Sequence, residues 1–209
     1  GGFAPNLDSN EEVIEYLIKA IQSANFSYGK DIFISLDCAA SEFFDGKNYI
    51  INATDETFSS DGLVDYYVKL IKKFDIKSIE DPLHEDDWDG WIKLTRELNG
   101  VQIVGDDIFV TQRELLKKGI DSHAGNAILI KPNQVGTLTE SLESIQLAKE
   151  NEFNTIISHR SGETEDPFIA DLAVGVDAKQ IKTGAPSRSD RNSKYNRLLI
   201  IENELYPKK

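Results

Sequence analysis

Six ionisable residues stand where short apolar runs give way to polar sequence: Asp37, Glu80, Asp106, Lys131, His159 and Lys182. In chain order they are three acids followed by three bases. Carboxylates gathered in one place raise one another's pKa unless a cation neutralises them. An all-oxygen carboxylate set suits a hard ion, so Asp37, Glu80 and Asp106 read as ligands for Mg2+. Zinc fits less well, because the chain has only three histidines and two of them, His84 and His123, fall in loop or helix sequence. On the basic side, Arg160 and Ser161 adjoin His159, giving a cationic pocket with a hydroxyl donor that suits phosphate and carboxylate groups. Crowding a lysine against a metal and other cations favours its neutral form, which makes a lysine of this set, Lys131 or Lys182, a plausible base. Asp106 and Asp107 are neighbours, and strand alternation sends them to opposite faces; Asp106, continuing Gln102 and Val104, is the expected ligand. A charge after any one strand needs no explanation beyond a polar loop, but a sorted run of six does.

The elements that must position these residues alternate. Runs rich in Ile and Val predict strands at Ile32–Leu36, Ile76–Ile79, Val101–Gly105, Ala127–Ile130, Thr155–Ser158 and Gln180–Ile181. Helical periodicity covers Glu11–Ala24, Leu63–Phe74, Trp88–Leu98, Arg113–Lys118, Thr139–Glu152, Phe168–Val176 and Asp190–Leu205. In Glu11–Ala24 it puts Val13, Ile14, Leu17, Ile18 and Ile21 on one face. Thr111 before Glu114, and Thr137 before Glu140, read as helix N-caps. Alternating strands and helices predict a parallel sheet with helical crossovers. After Leu36 comes Asp37-Cys38-Ala39-Ala40-Ser41 and not a glycine-rich phosphate loop, which favours a (β/α)8 barrel over an open dinucleotide fold. In such a barrel the C-terminal strand ends converge on one mouth, where catalytic residues sit.

Composition narrows the partners. A formal net charge of −13 argues against a nucleic-acid backbone as ligand, while a local cationic cleft still admits a small anion. No apolar run approaches the roughly 20 residues of a membrane span, and the first residues lack the basic and apolar regions of a signal peptide. The single cysteine, Cys38, cannot pair internally, which points to a reducing compartment; with no activating base evident, it reads as a small packing residue.

At these same residues the sequence resembles the enolases. Ser35-Leu36-Asp37-Cys38-Ala39-Ala40-Ser41-Glu42-Phe43, Ser78-Ile79-Glu80-Asp81-Pro82 with Asp86-Asp87-Trp88, and Val104-Gly105-Asp106-Asp107 resemble the metal-ligand segments. Ile128-Leu129-Ile130-Lys131-Pro132-Asn133-Gln134-Val135-Gly136-Thr137 is similar to the base-bearing signature, with Pro132 where most relatives carry another apolar residue. Ser158-His159-Arg160-Ser161-Gly162-Glu163-Thr164-Glu165-Asp166 and Gln180-Ile181-Lys182-Thr183-Gly184 are similarly close. The resemblance spans residues 1–209 as one catalytic barrel domain. It implies the cytoplasmic, glycolytic, Mg2+-dependent dehydration of 2-phosphoglycerate to phosphoenolpyruvate by a homodimer or higher homo-oligomer. Asp37, Glu80 and Asp106 would bind the tighter Mg2+. Lys131 would abstract the proton, and Lys182 would stabilise the charge that develops at the carboxylate. Arg160 and Ser161 would hold phosphate, Ser158 would belong to the loop carrying a second Mg2+, and His159 would shape the site or relay a proton.

The resemblance also implies incompleteness. Gly1-Gly2-Phe3-Ala4-Pro5-Asn6 resembles the end of the family's G-D-E-G-G-x-A-P-N segment, whose Glu is the expected general acid. Six βα units without the capping domain and first two barrel strands predict an incomplete barrel, nearly inactive alone. There is no methionine, so Gly1 is not expected to be a translation start. Two other readings remain at this stage. One is a superfamily relative acting on another carboxylate, such as a racemase or cycloisomerase, against which Arg160, Ser161 and Lys182 argue. The other is a cell-surface or secreted protein capturing plasminogen through the terminal Lys208-Lys209, against which stands the simpler and favoured reading of a solvated terminus.

Overall fold

The computed structural model describes residues 2–207, so the Lys208-Lys209 tail lies outside it. The chain divides into two compact units. The first comprises Pro5–Phe109 with Lys118–Asn126; the second is built from Val110–Lys117 and the residues from Ala127 onward. No described helix is long and apolar enough to cross a membrane.

The first unit opens with α1 (Asn10–Ser23), capped by Ser9, whose side-chain oxygen accepts from the Glu12 amide at 3.2 Å. Its core is three parallel strands in the order β1 (Ser35–Asp37), β4 (Ser78–Glu80) and β5 (Gln102–Gly105). Leu36, Ile79 and Ile103 share one register row, and Asp37 lies opposite Glu80 in the next. The crossover helices are α2 (Ser60–Phe74) and α3 (Trp88–Glu97), with Leu63, Val64, Tyr67, Trp91 and Leu94 buried. Asp87 caps α3 by accepting from the Gly90 amide at 3.2 Å, and the Tyr49 hydroxyl donates to its other oxygen at 2.7 Å. A short antiparallel hairpin, β2 (Tyr49–Ile51) and β3 (Glu56–Phe58), lies between β1 and α2. The periodicity gave no sign of it, because each arm is three residues long and the turn depends on Asp55 in a left-handed conformation, φ 57°.

Two expectations are corrected in this unit. β1 begins at Ser35 and not Ile32; Ile32 and Phe33 precede the paired register and are exposed. On the apolar face of α1 only Ile14 is buried, and Val13 and Leu17 stand exposed.

After β5 the chain turns around Phe109, whose ring is fully buried. A Cβ added at Gly105 or at Gly119 would meet that ring at 2.4 Å, so both positions admit only glycine without movement of the ring. Gly119 lies in α4 (Arg113–Ser122), which runs past the predicted end at Lys118.

The second unit carries three parallel strands in the order β6 (Ala127–Ile130), β7 (Asn154–Ser158) and β8 (Gln180–Lys182). Ile130 lies opposite Ile157, and Ser158 opposite Lys182. A one-turn helix, α5 (Pro132–Val135), starts on Pro132, whose missing N–H costs nothing at a first helical position. It is followed by α6 (Leu138–Glu150), α7 (Phe168–Gly175) and α8 (Ser189–Leu205). Thr137 caps α6 as expected, accepting from the Glu140 amide at 3.2 Å. Thr111 is no cap: α4 starts at Arg113, and the Gln112 carbonyl accepts the Leu116 amide at 3.0 Å.

Candidate active site

The six ionisable residues read as closing the strands fall at, or one position past, the C-terminal end of a parallel strand, and Arg160 and Ser161 follow in the loop after β7. Asp37, Glu80 and Lys182 close β1, β4 and β8, while Asp106, Lys131 and His159 follow β5, β6 and β7. Each unit therefore presents its own set, acidic in the first and basic in the second.

In the first unit Asp37 is exposed, while Glu80 and Asp106 are buried. Parallel pairing puts Asp37 and Glu80 side by side in register. The alternation expected for Asp106 and Asp107 does not apply, because β5 ends at Gly105. Past the strand, both turn toward Asp81: one carboxylate oxygen from each of Asp81, Asp106 and Asp107 lies within 4.8 Å of the others. Among the described residues Asp37, Glu80 and Asp106 do not close to that spacing. Asp81 sits in a left-handed conformation, φ 42°, and its two oxygens accept from the Asp106 amide at 2.9 Å and the Asp107 amide at 3.0 Å. Burial pushes its carboxyl up to about 8, the two amides pull it down, and the charges of Asp106 and Asp107 push it up again. Asp81 is thus the strut that fixes the backbone of Asp106. An oxygen-only set of this kind fits a hard divalent cation, with Asp106 shared between the observed cluster and the predicted one.

Cys38 belongs to the same unit. Burial pushes its thiol up to about 12, and the nearby carboxylates of Asp37, Asp81 and Glu80 act in the same direction against a hydrogen bond with Tyr67. Such a thiol is a packing group and not a nucleophile.

In the second unit, Lys131 extends from the end of β6 with its backbone amide donating to the Thr111 hydroxyl at 2.9 Å. Thr111 is fully buried, and its hydroxyl also lies 2.7 Å from Gln134 Oε1; its own carbonyl accepts from the Ser144 hydroxyl at 2.6 Å. Val110 and Thr111 hold left-handed conformations, φ 41° and 61°, which β-branched residues rarely adopt. That strained pair carries the hydroxyl to the amide of Lys131. Arg160 is tied to the segment following Lys131, its Nη1 donating to Asn133 Oδ1 at 2.8 Å. Ser158 is not in the loop, as the resemblance implied, but is the last residue of β7; its buried hydroxyl donates to the His159 carbonyl at 2.9 Å.

His159 is held neutral. Burial lowers its pKa to about 4, helped by Arg191, Lys182 and Lys131 and opposed by Glu163. Sequence reasoning passed over Arg191 and Lys194, both buried on α8. Arg191 Nη1 lies 2.5 Å from His159 Nδ1 and donates to the Arg160 carbonyl at 2.8 Å, and Nη2 donates to the Ser161 carbonyl at 3.0 Å. Lys194 pairs with Glu163 at 2.8 Å and donates to the Thr164 and Asp190 carbonyls. Their spacing of three on a helix was the available signal, since it places two cations on one face. Thr111 and Asp81 carried no comparable signal.

A family model for the enolase C-terminal TIM barrel domain matches residues 1–208. An enolase from Natranaerobius thermophilus is 52% identical over 207 residues, covering 99% of this chain and 48% of that protein. The chain thus spans about half the length of that relative. Parallel strands with ionisable residues at their C-terminal ends agree with a portion of such a barrel, and the chain belongs to the enolase family.

Proposed function

We propose that this chain supplies the metal-binding and base-bearing part of a phosphopyruvate hydratase, which interconverts 2-phosphoglycerate and phosphoenolpyruvate. The observation that carries the reading is the placement of Lys131, His159 and Lys182 at the ends of successive parallel strands, with Arg160 anchored beside them by Asn133. Asp37, Glu80 and Asp106 are the residues that would hold Mg2+, with Asp81 bracing Asp106. A bound Mg2+ would supply positive charge to the substrate carboxylate as its neighbouring carbon loses a proton. Lys131, as the free amine, takes that proton and becomes an ammonium group. Lys182 offers a second positive charge to the same carboxylate. Arg160 and Ser161 hold the phosphate, Arg160 through its planar fork. Ser158, buried at the end of β7, acts on the substrate only through the position it gives His159. Protonation of the departing hydroxide is assigned to no residue of this chain. The reading makes the protein a cytoplasmic enzyme of glycolysis acting on a small phosphorylated acid, within a homo-oligomer.

The first half of the reaction is testable by itself. With 2-phosphoglycerate and Mg2+ in D2O, abstraction by Lys131 exchanges the substrate's C2 proton for deuterium without forming phosphoenolpyruvate. Mass spectrometry of recovered substrate reads the exchange. It is expected with the native chain and should vanish in Lys131→Ala. Exchange of equal rate in both would refute the assignment of the base.

A further inference from the structure

Residues of α8 enter the loop that follows β7 from behind. Arg191, a residue only 6% exposed, makes three contacts there, to His159 Nδ1 and to the carbonyls of Arg160 and Ser161. Its path is built in: a Cβ at Gly184 would meet Arg191 Cδ at 2.8 Å, so the glycine after Thr183 keeps the channel open. Three residues on, Lys194 is fully buried and takes the Glu163 carboxylate and the Thr164 carbonyl. Guanidinium nitrogens only donate. The contact at Nδ1 therefore needs a lone pair there, and a neutral imidazole has one such nitrogen and one N–H.

We infer that Arg191 is a positioning residue that locks His159 in the neutral Nε2–H tautomer and fixes the backbone of Arg160 and Ser161. His159 then has one donor, Nε2–H, suited to an oxygen of a phosphate or carboxylate group, and no proton to give from Nδ1. The charged groups facing the ring are Arg191 from α8, Lys182 from β8, Lys131 after β6 and Glu163 from its own loop. All but Glu163 are cations, so the surroundings oppose an imidazolium. The tautomer assignment stands on geometry alone; its catalytic meaning rests on the function proposed above.

Long-range proton–nitrogen correlation spectra of the uniformly labelled chain at neutral pH read the tautomer directly, with His159 identified by its loss in His159→Gln. The native chain should show an unprotonated Nδ1 and a protonated Nε2. Arg191→Met should release the ring to a mixture of tautomers, and Arg191→Lys, which keeps one donor, should retain Nε2–H while shifting the Arg160 and Ser161 amide signals. A protonated Nδ1 in the native chain overturns the inference, as does an unchanged tautomer in folded Arg191→Met. If the methionine variant does not fold, the native spectrum and Arg191→Lys decide. Titration with 2-phosphoglycerate separates the two readings: silent Arg160 and Ser161 amides beside the expected tautomer would remove the proposed substrate and leave the role of Arg191 standing.

Discussion

Replacing Thr111 by Val tests whether one buried hydroxyl holds the candidate base in place. The substitution keeps the β-branch and nearly the volume, so the left-handed backbone at φ 61° and the packing are disturbed little. It withdraws the acceptor 2.9 Å from the Lys131 amide and the donor 2.7 Å from Gln134 Oε1. Each buried hydrogen bond contributes about 1 kcal/mol net, and stranding a buried partner costs about 1–3 kcal/mol. The Ser144 hydroxyl bond to the Thr111 carbonyl is untouched, so the loss should be about 2 kcal/mol. With a urea m-value of about 2 kcal/mol/M, the unfolding midpoint falls by about 1 M at unchanged slope. The same free energy lowers the exchange protection of the Lys131 amide roughly 30-fold. Thr111→Ser keeps the hydroxyl and gives up one methyl, a cost of about 1 kcal/mol. Protection at Lys131 should survive in the serine variant and fall in the valine variant. Equal destabilisation by the two, or an unmoved Lys131 amide in Thr111→Val, would show that the hydroxyl does not secure the base.

Gly119→Ala gains about 1 kcal/mol in helix propensity yet drives a methyl into the Phe109 ring, so a net loss of about 1–2 kcal/mol is expected in thermal unfolding. Adding Phe109→Leu to that variant should cost less than Phe109→Leu does in the native background. His159 should titrate near 4 in the folded chain, against an ordinary value near 6.5. Because the unfolded chain takes up that proton first, its contribution to stability is complete above about pH 6.5 and is lost as pH falls toward 4. Proton NMR of the imidazole checks the midpoint, and a value near 6.5 would contradict the cationic surroundings. Arg197 on α8 grips the Asp171 carboxylate of α7 with Nε at 2.9 Å and Nη2 at 2.6 Å. The pair is partly exposed, so Arg197→Leu should cost no more than about 1 kcal/mol, and the difference should shrink in about 0.5 M salt.

Much of the candidate site could be read in advance because its residues occupy strand ends, where an Ile- and Val-rich run gives way to a polar loop. Glu80 and Lys182 could be located from the apolar runs before them, and the α6 cap from a threonine three residues ahead of a glutamate. The supporting residues could not. Asp81 and Thr111 work through backbone amides, which carry no side-chain signature, and both do so from left-handed conformations that no pattern of types announces. Asp106 and Asp107 defied the alternation rule because it lapses one residue past the last paired position. The β2–β3 hairpin was too short to show a period.

The hold of α8 on the loop after β7 has a consequence in time. Arg191 lies 31 residues after Arg160, and Lys194 lies 30 after Thr164. On a ribosome that loop emerges well before its anchors. At about 5–20 residues per second, a second or more passes with β7 made and His159 still free to protonate and turn. The backbone of Arg160 and Ser161 is therefore fixed only after α8 has followed, and until α8 docks that loop is a hinge without its pin.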